Sequence, residues 1–271
     1  MKQINKIEVI AEIGWNHLGD MSLAKKMIES ASKNGASYAK FQSWSVERLK
    51  PGSWDTDGRR QIYEKAELSE SNHIELINHC KKNKIKFLSS VFSIDDAKLL
   101  KKLECKSVKI PSFESRNTEL IKFCDENFDR VFMSCGTSTF DEIKLSLSLY
   151  SKTELTLLHC VSMYPCNYEN ANINKMLELM KIHNSVGYSD HIQGVESAKI
   201  AIGMGAEVIE KHFTIDNDLP GRDNKFAILP EHLNDLNLFI QNREKMFIDY
   251  GLNFQDGEKD SRINYEGRFN G

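Results

Sequence analysis

The sequence predicts a (β/α)8 TIM barrel, an α/β fold built as a single domain. Eight short runs rich in Val, Ile, Phe and Tyr alternate with segments whose apolar residues recur at three- to four-residue spacing. The alternation never breaks into a strand-only or helix-only block, which is the pattern of a closed α/β barrel. The 271 residues also match the roughly 250 of one such barrel. An open doubly wound sheet would show fewer units and a glycine-rich phosphate turn after the first strand, and neither a GxGxxG nor a Walker pattern is present.

The expected strands cover residues 7–13, 38–44, 86–92, 107–113, 130–136, 154–160, 184–191 and 207–213, each of a length suited to a buried parallel strand. Helical segments are expected at 23–34, 73–83, 95–103, 120–127, 140–150, 173–182, 195–204 and 231–250. Gly35, Gly205 and Gly251 stand where a C′ glycine stops a helix. Residues 14–22 and 45–70 are longer excursions, and the second should carry a short helix at 57–65 and reach over a barrel mouth. The barrel domain is expected over 1–251, followed by an irregular polar tail at 252–271 and no second domain.

Composition narrows the function. With 40% hydrophobic and 28% charged residues, and 36 Lys+Arg against 39 Asp+Glu, the chain is neither disordered nor built to attract nucleic acid or an anionic membrane. Apolar-rich runs such as 7–13 fall far short of the ~20 residues of a membrane helix. The start, MKQINKIEVIAEIG, lacks the apolar core and small-residue cleavage site of a secretory signal, so a cytoplasmic protein is expected. Six cysteines without a CxxC pair then read as reduced thiols.

The polar residues concentrate at one end of the expected strands, where barrel chemistry resides. Glu12 closes the first strand, Lys40 and Gln42 lie on the second, Ser90 on the third, and Lys109, Ser112 and Glu114 on the fourth. Ser134, Ser162 and Ser189 follow on later strands. An isolated Ser after a strand is usually a helix cap, and a strand Lys can simply pair with a carboxylate. Together, though, Lys40 and Lys109 with Ser112, Ser134 and Ser189 make a phosphate cradle of charges and hydroxyls. His191 and His212 end neighbouring strands, which places them about 5 Å apart, close enough to share a divalent ion. His159 and Glu210 read as structural, and His17, His73, His79, His183 and His232 as surface or loop residues without partners.

Nine segments in order resemble the sialic acid synthase family: AEIGWNHLGD (11–20), AKFQSW (39–44), SSVFS (89–93), VKIPSFE (108–114), SCGTST (134–139), LLHCVSMYP (157–165), GYSDHIQG (187–194), VIEKHFTID (208–216) and LPGRDNKFAILPEH (219–232). The resemblance implies condensation of phosphoenolpyruvate with an open-chain N-acylated hexosamine, ManNAc first and a diacetamido-trideoxyhexose next, to give a nonulosonic acid and phosphate. It implies that His191 and His212 hold a divalent metal, Mn2+ with Mg2+ or Co2+ as alternatives. Lys40, Ser90, Lys109, Ser112, Ser134 and Ser189 fall on the family's phosphoenolpyruvate contacts, and Ser162 stands where some members have Asn. Glu12 and Asp223 match acidic positions near the sugar, and Glu114 or Glu12 would act as base toward the attacking water.

Typical members of that family carry a C-terminal antifreeze-protein-like domain that a dimer partner lays over the mouth. No such domain is recognised up to Gly271, which leaves three explanations, a natural short form, a separately encoded cap domain or a truncated chain; a homodimer is a further candidate partner. Arg222, Asn224 and Cys135 depart from the family pattern near the sugar end. Two further readings are the same chemistry on another aldose, and a barrel that binds ligand without turning it over.

Overall fold

The computed structural model describes residues 6–270; the first five residues of the expected start segment and Gly271 lie outside them. Eight parallel strands close into a barrel in sequence order: β1 (Glu8–Gly14), β2 (Tyr38–Ser43), β3 (Lys86–Val91), β4 (Ser107–Ile110), β5 (Arg130–Ser134), β6 (Glu154–Cys160), β7 (Val186–Asp190) and β8 (Val208–His212). β8 pairs back onto β1, so the sheet has no edge. The helices are α1 (Met21–Lys33), α2 (Arg59–Ala66), α3 (Glu70–Lys82), α4 (Ile94–Lys102), α5 (Thr118–Asn127), α6 (Phe140–Leu147), α7 (Lys175–Met180), α8 (Glu196–Gly203), α9 (Pro230–Met246) and α10 (Lys259–Asn264).

Period-two alternation sorts the barrel interior into layers. At the N-terminal end of the strands, Glu8 pairs with Lys86 at 3.0 Å and with Arg130, whose guanidinium lies over the Phe132 ring. Above this sits an apolar disc of Ile10, Tyr38, Leu88, Phe132, Leu158 and Val208. Two residues further along the strands the interior turns polar, with Glu12, Lys40, Ser90, Lys109, Ser134, Ser189 and Glu210 all buried. The disc therefore separates the polar layer from solvent on the far side.

Outside the strands, the apolar faces of the helices pack a second, continuous core that includes Met27, Ile28, Leu76, Leu100, Leu120, Ile143, Leu179 and Leu236. Side-chain caps begin several of these helices: Asp20 accepts from Ser22 and Leu23, Ser93 from Asp96, and Thr139 forms a capping box with Glu142.

Some boundaries move for identifiable reasons. β4 stops at Ile110, short of the expected 113, because Pro111 has no N–H for the ladder and the chain turns into a 3-10 helix at Ser112–Glu114. Gly35 and Gly205 stop α1 and α8 at positive φ, as expected. Gly251 does not stop α9: the helix ends at Met246, where Met246, Phe247 and Ile248 are all exposed and no packing supports another turn. The tail is exposed throughout its described length, but it contains α10 and is not wholly irregular. All six cysteines are free. Among the described residues, no helix is long and apolar enough to cross a membrane.

β7 and β8 approach closely over Gly187, where a Cβ would sit 2.3 Å from the backbone carbonyl oxygen of Val208 and 2.7 Å from a Leu158 methyl. Neither strand can yield without opening the barrel. Gly187→Ala is expected to destabilise the protein by about 1–3 kcal/mol or more, read from the midpoint of denaturant unfolding at unchanged slope.

Candidate active site

A cavity of about 830 Å³ opens at the C-terminal ends of the strands, floored by the polar layer and walled by the loops after β1 and β2. Its floor is an ionic network. Lys109 Nζ donates to both oxygens of Glu210, at 2.8 and 2.9 Å. Lys40 Nζ contacts Glu12 at 2.8 Å, Ser90 Oγ at 2.9 Å and Glu210 at 3.6 Å. Ser189 donates to Glu210 at 2.9 Å, and Gln42 to Glu12 at 2.5 Å. Two lysines and two carboxylates thus share one water-poor layer, each largely compensated by the others.

The electrostatics are uneven. Burial alone would raise the Glu210 carboxyl, but Lys109 and Lys40 hold it down at about 2. Burial wins at Glu12, whose carboxyl is raised despite Lys40. Lys40 is raised, because Glu12 and Glu210 outweigh its desolvation, whereas burial keeps Lys109 below the ordinary lysine value.

The rim carries the histidines. His191 and His212 have ring centroids 5.4 Å apart, and Tyr164 packs 4.2 Å from the His191 ring. His191 Nδ1 bonds the Val161 carbonyl at 2.8 Å, which fixes the ring's orientation. His212 Nδ1 is buried without a hydrogen-bond partner; the nearest acid, Asp223, lies 3.5 Å away. Burial and the neighbouring His191 and Lys40 push His212 well below the usual imidazole range, favouring the neutral, ligating form. Asp223 accepts from Trp15 Nε1, and burial raises its carboxyl to about 6. Two adjacent imidazoles, one with an orphaned nitrogen, suit a divalent first-row ion. Among the described residues no cluster of three or more His, Cys, Asp or Glu is arranged to hold one, so water or substrate would supply the remaining positions.

Eleven of the residues singled out in the sequence line this one cavity: Glu12, Lys40, Ser90, Lys109, Ser112, Glu114, Ser134, Ser189, His191, His212 and Asp223. Ser162 is not itself a lining residue; its hydroxyl lies 3.9 Å from the Sγ of Cys160, which does line the cavity. Glu114 sits in the 3-10 turn beyond β4, not at a strand end, and accepts from Asn117 at 2.9 Å. Ser112 accepts from the Gly136 N–H, while the buried Ser134 hydroxyl has no partner.

Several expectations need correcting. Glu210 is the hub of the ionic floor, and counting back two residues from His212 along β8 would have turned it inward. Tyr164 and Trp15 also line the cavity and contact the predicted residues, and Gln42, already placed at this end by the sequence, lines it too and reaches Glu12. His17 and His73 are buried, not superficial; His73 bonds Ser43 and the Ser69 carbonyl. His79, His183 and His232 also have partners, in Glu29, the Leu155 carbonyl and the Leu229 N–H. His159 bonds the Ala171 carbonyl, as a structural histidine should. Asn224 is consumed by the Thr214 hydroxyl, the Pro220 carbonyl and, from the loop after β1, the Asn16 carbonyl.

A TIM barrel with a charged floor and a histidine pair at its C-terminal mouth has the form of an enzyme site. The chain belongs to the NeuB family, whose model matches residues 27–250, and is an enzyme of the sialic acid synthase type. It is 36% identical to the N,N'-diacetyllegionaminic acid synthase of Campylobacter jejuni over 91% of this chain and 79% of that protein. Identity to the pseudaminic acid synthase of Helicobacter pylori is 31%, over 82% and 69%. The N-acetylneuraminic acid synthetase of Leptospira borgpetersenii, solved with citrate, superposes with a TM-score of 0.87 at 30% identity, covering 98% of this chain and 93% of that one.

Because the folded Glu210 carboxyl lies below its ordinary 4.5, its contribution to stability is complete above about 4.5 and is lost as pH falls toward 2. Glu210→Gln should flatten that acid limb. At neutral pH the variant should lose about 3–5 kcal/mol, because two buried lysines lose their common partner; urea unfolding across pH reads both effects.

Proposed function

We propose that the protein condenses phosphoenolpyruvate with an open-chain N-acylated hexosamine, releasing phosphate and a nonulosonic acid. The observation that carries this reading is the charged floor, where Lys40 and Lys109 lie side by side among Ser90, Ser134 and Ser189, directly below His191 and His212. Phosphoenolpyruvate offers the matching chemistry, a carboxylate and a phosphate on a three-carbon frame.

In this reading the lysines and serine hydroxyls bind the phosphate and carboxylate and orient the enol carbon toward the mouth. That carbon adds to the acceptor aldehyde, water adds at C2, and C–O cleavage releases phosphate into the same cradle, whose charges stabilise the departing dianion. His191 and His212 would hold the divalent ion, Mn2+ with Mg2+ or Co2+ as alternatives, which when bound supplies Lewis-acid polarisation of the aldehyde oxygen. Glu114 is the preferred base toward the attacking water, since Glu12 is committed to Lys40 and Gln42. Asp223, anchored by Trp15 beside His212, faces the acceptor.

A product named for two N-acetyl groups requires an acceptor that carries both, because phosphoenolpyruvate contributes none. The Campylobacter relative, and a second protein of the same name in Legionella pneumophila at 32% identity, therefore favour a diacetamido-trideoxyhexose over ManNAc.

The decisive experiment is a panel of ManNAc, diacetamido-trideoxyhexoses and simple aldoses with phosphoenolpyruvate and Mn2+, scored by phosphate release. Turnover is expected with an N-acylated hexosamine, highest with a diacetamido sugar, and none in His191→Ala or His212→Ala; full turnover in either variant would remove the metal reading. Lys109→Ala should weaken phosphoenolpyruvate binding by about 1.5–3 kcal/mol, or about 10- to 150-fold in Kd, measured by calorimetry.

A further inference from the structure

The two rim histidines are each preceded by a charged residue that plays no part in the cavity. Asp190 precedes His191 and Lys211 precedes His212, and alternation turns both away from the barrel axis. The register of β7 and β8 sets them directly opposite one another. Both are buried, and Lys211 Nζ lies 3.0 Å from Asp190 Oδ2. Ser197 of α8 donates to the same Asp190 oxygen at 2.6 Å.

Two further bonds of this pair meet at one residue. Asp190 Oδ1 accepts the Ile192 N–H at 2.9 Å, and Lys211 Nζ donates to the Ile192 carbonyl. Ile192, the residue after His191, is thus held through its N–H from β7 and through its carbonyl from β8. On its other side, the His191 carbonyl accepts from the Cys166 N–H at 3.0 Å. A buried ion pair is a poor device for stability alone, since an apolar pair of the same size does as well. Here its bonds go to the backbone that carries a histidine, and they tie that backbone to the strand that carries the other.

We propose that Asp190 and Lys211 are positioning residues, a cross-strand clamp on the outer face of the barrel that sets the spacing of His191 and His212. The clamp deepens the proposed function, because it rests on the reading that these imidazoles share an ion.

The test uses the full chain carrying Asp190→Asn together with Lys211→Met, which removes both charges and leaves neither buried alone. Mn2+ affinity, measured by electron paramagnetic resonance, should fall about 10- to 100-fold. Phosphoenolpyruvate affinity measured without metal should be retained, which separates loss of the clamp from general loss of the site. A crystal structure of the variant should show the His191 ring displaced by more than about 0.5 Å. Wild-type Mn2+ affinity with unmoved rings would overturn the clamp. If the wild-type protein itself binds no Mn2+, the metal reading fails, and the ring positions alone decide the clamp: displaced rings support it and unmoved rings end it. Should the double variant not fold, Ser197→Ala removes one bond to Asp190 and should weaken Mn2+ binding about 2- to 10-fold; unchanged affinity there would overturn the proposal.

Discussion

Glu210 sits between two lysines in a place where none of the three could be charged alone. The side chains of Lys40 and Lys109 reach it from β2 and β4, across the interior of the barrel, and Ser189 completes its coordination. This balance depends on the geometry around it. The closed sheet fixes the spacing of the strands, and the apolar disc beneath keeps water from approaching through the barrel. With water kept away, charges at these separations interact strongly, which is how a carboxyl whose burial would raise it is instead held ionised. An arriving anion meets two cations that are already placed and already dehydrated, and it competes with Glu12 and Glu210 for them.

Most of the fold was legible because the two periods are clean. Strands such as 154–160 agree with the structure to the residue, and where β4 ended early the cause was a proline whose effect is local and readable. The site was legible in kind and less so in arrangement. His191 and His212 follow from the adjacency of the last two strands, and the lysines from the rule that barrel chemistry lies at strand ends. Glu210 was read as structural because a glutamate within a strand has many uses, and only layer-by-layer counting shows that it meets Lys109. The burial of His17 depends on how the loop after β1 folds back, which no short-range pattern records, whereas His73 lies on the buried stripe of α3 with Leu76 and Cys80 and was legible from helical spacing.

The residues of the cavity divide by depth. The floor is made from strands and is rigid; the upper wall comes from loops, with Trp15, Trp44 and Tyr63 packed against one another at centroid distances of 5.2–6.3 Å. Arg222, one of the departures from the family pattern, donates to the Tyr164 carbonyl in this upper wall. The wall that would distinguish an acceptor comes from loops, while the groups that would handle a three-carbon substrate come from the sheet. Such a division lets related enzymes exchange sugars without rebuilding the chemistry.

The apolar plug formed by Ile10, Tyr38, Leu88, Phe132, Leu158 and Val208 also has a kinetic consequence. It turns the barrel into a blind shaft, so traffic runs through one end only. If the three-carbon donor occupies the bottom, it must enter before the sugar, and a sugar arriving first would block the way to the lysines. Departure would be constrained in the same sense: inorganic phosphate formed at that depth would be the last species able to escape.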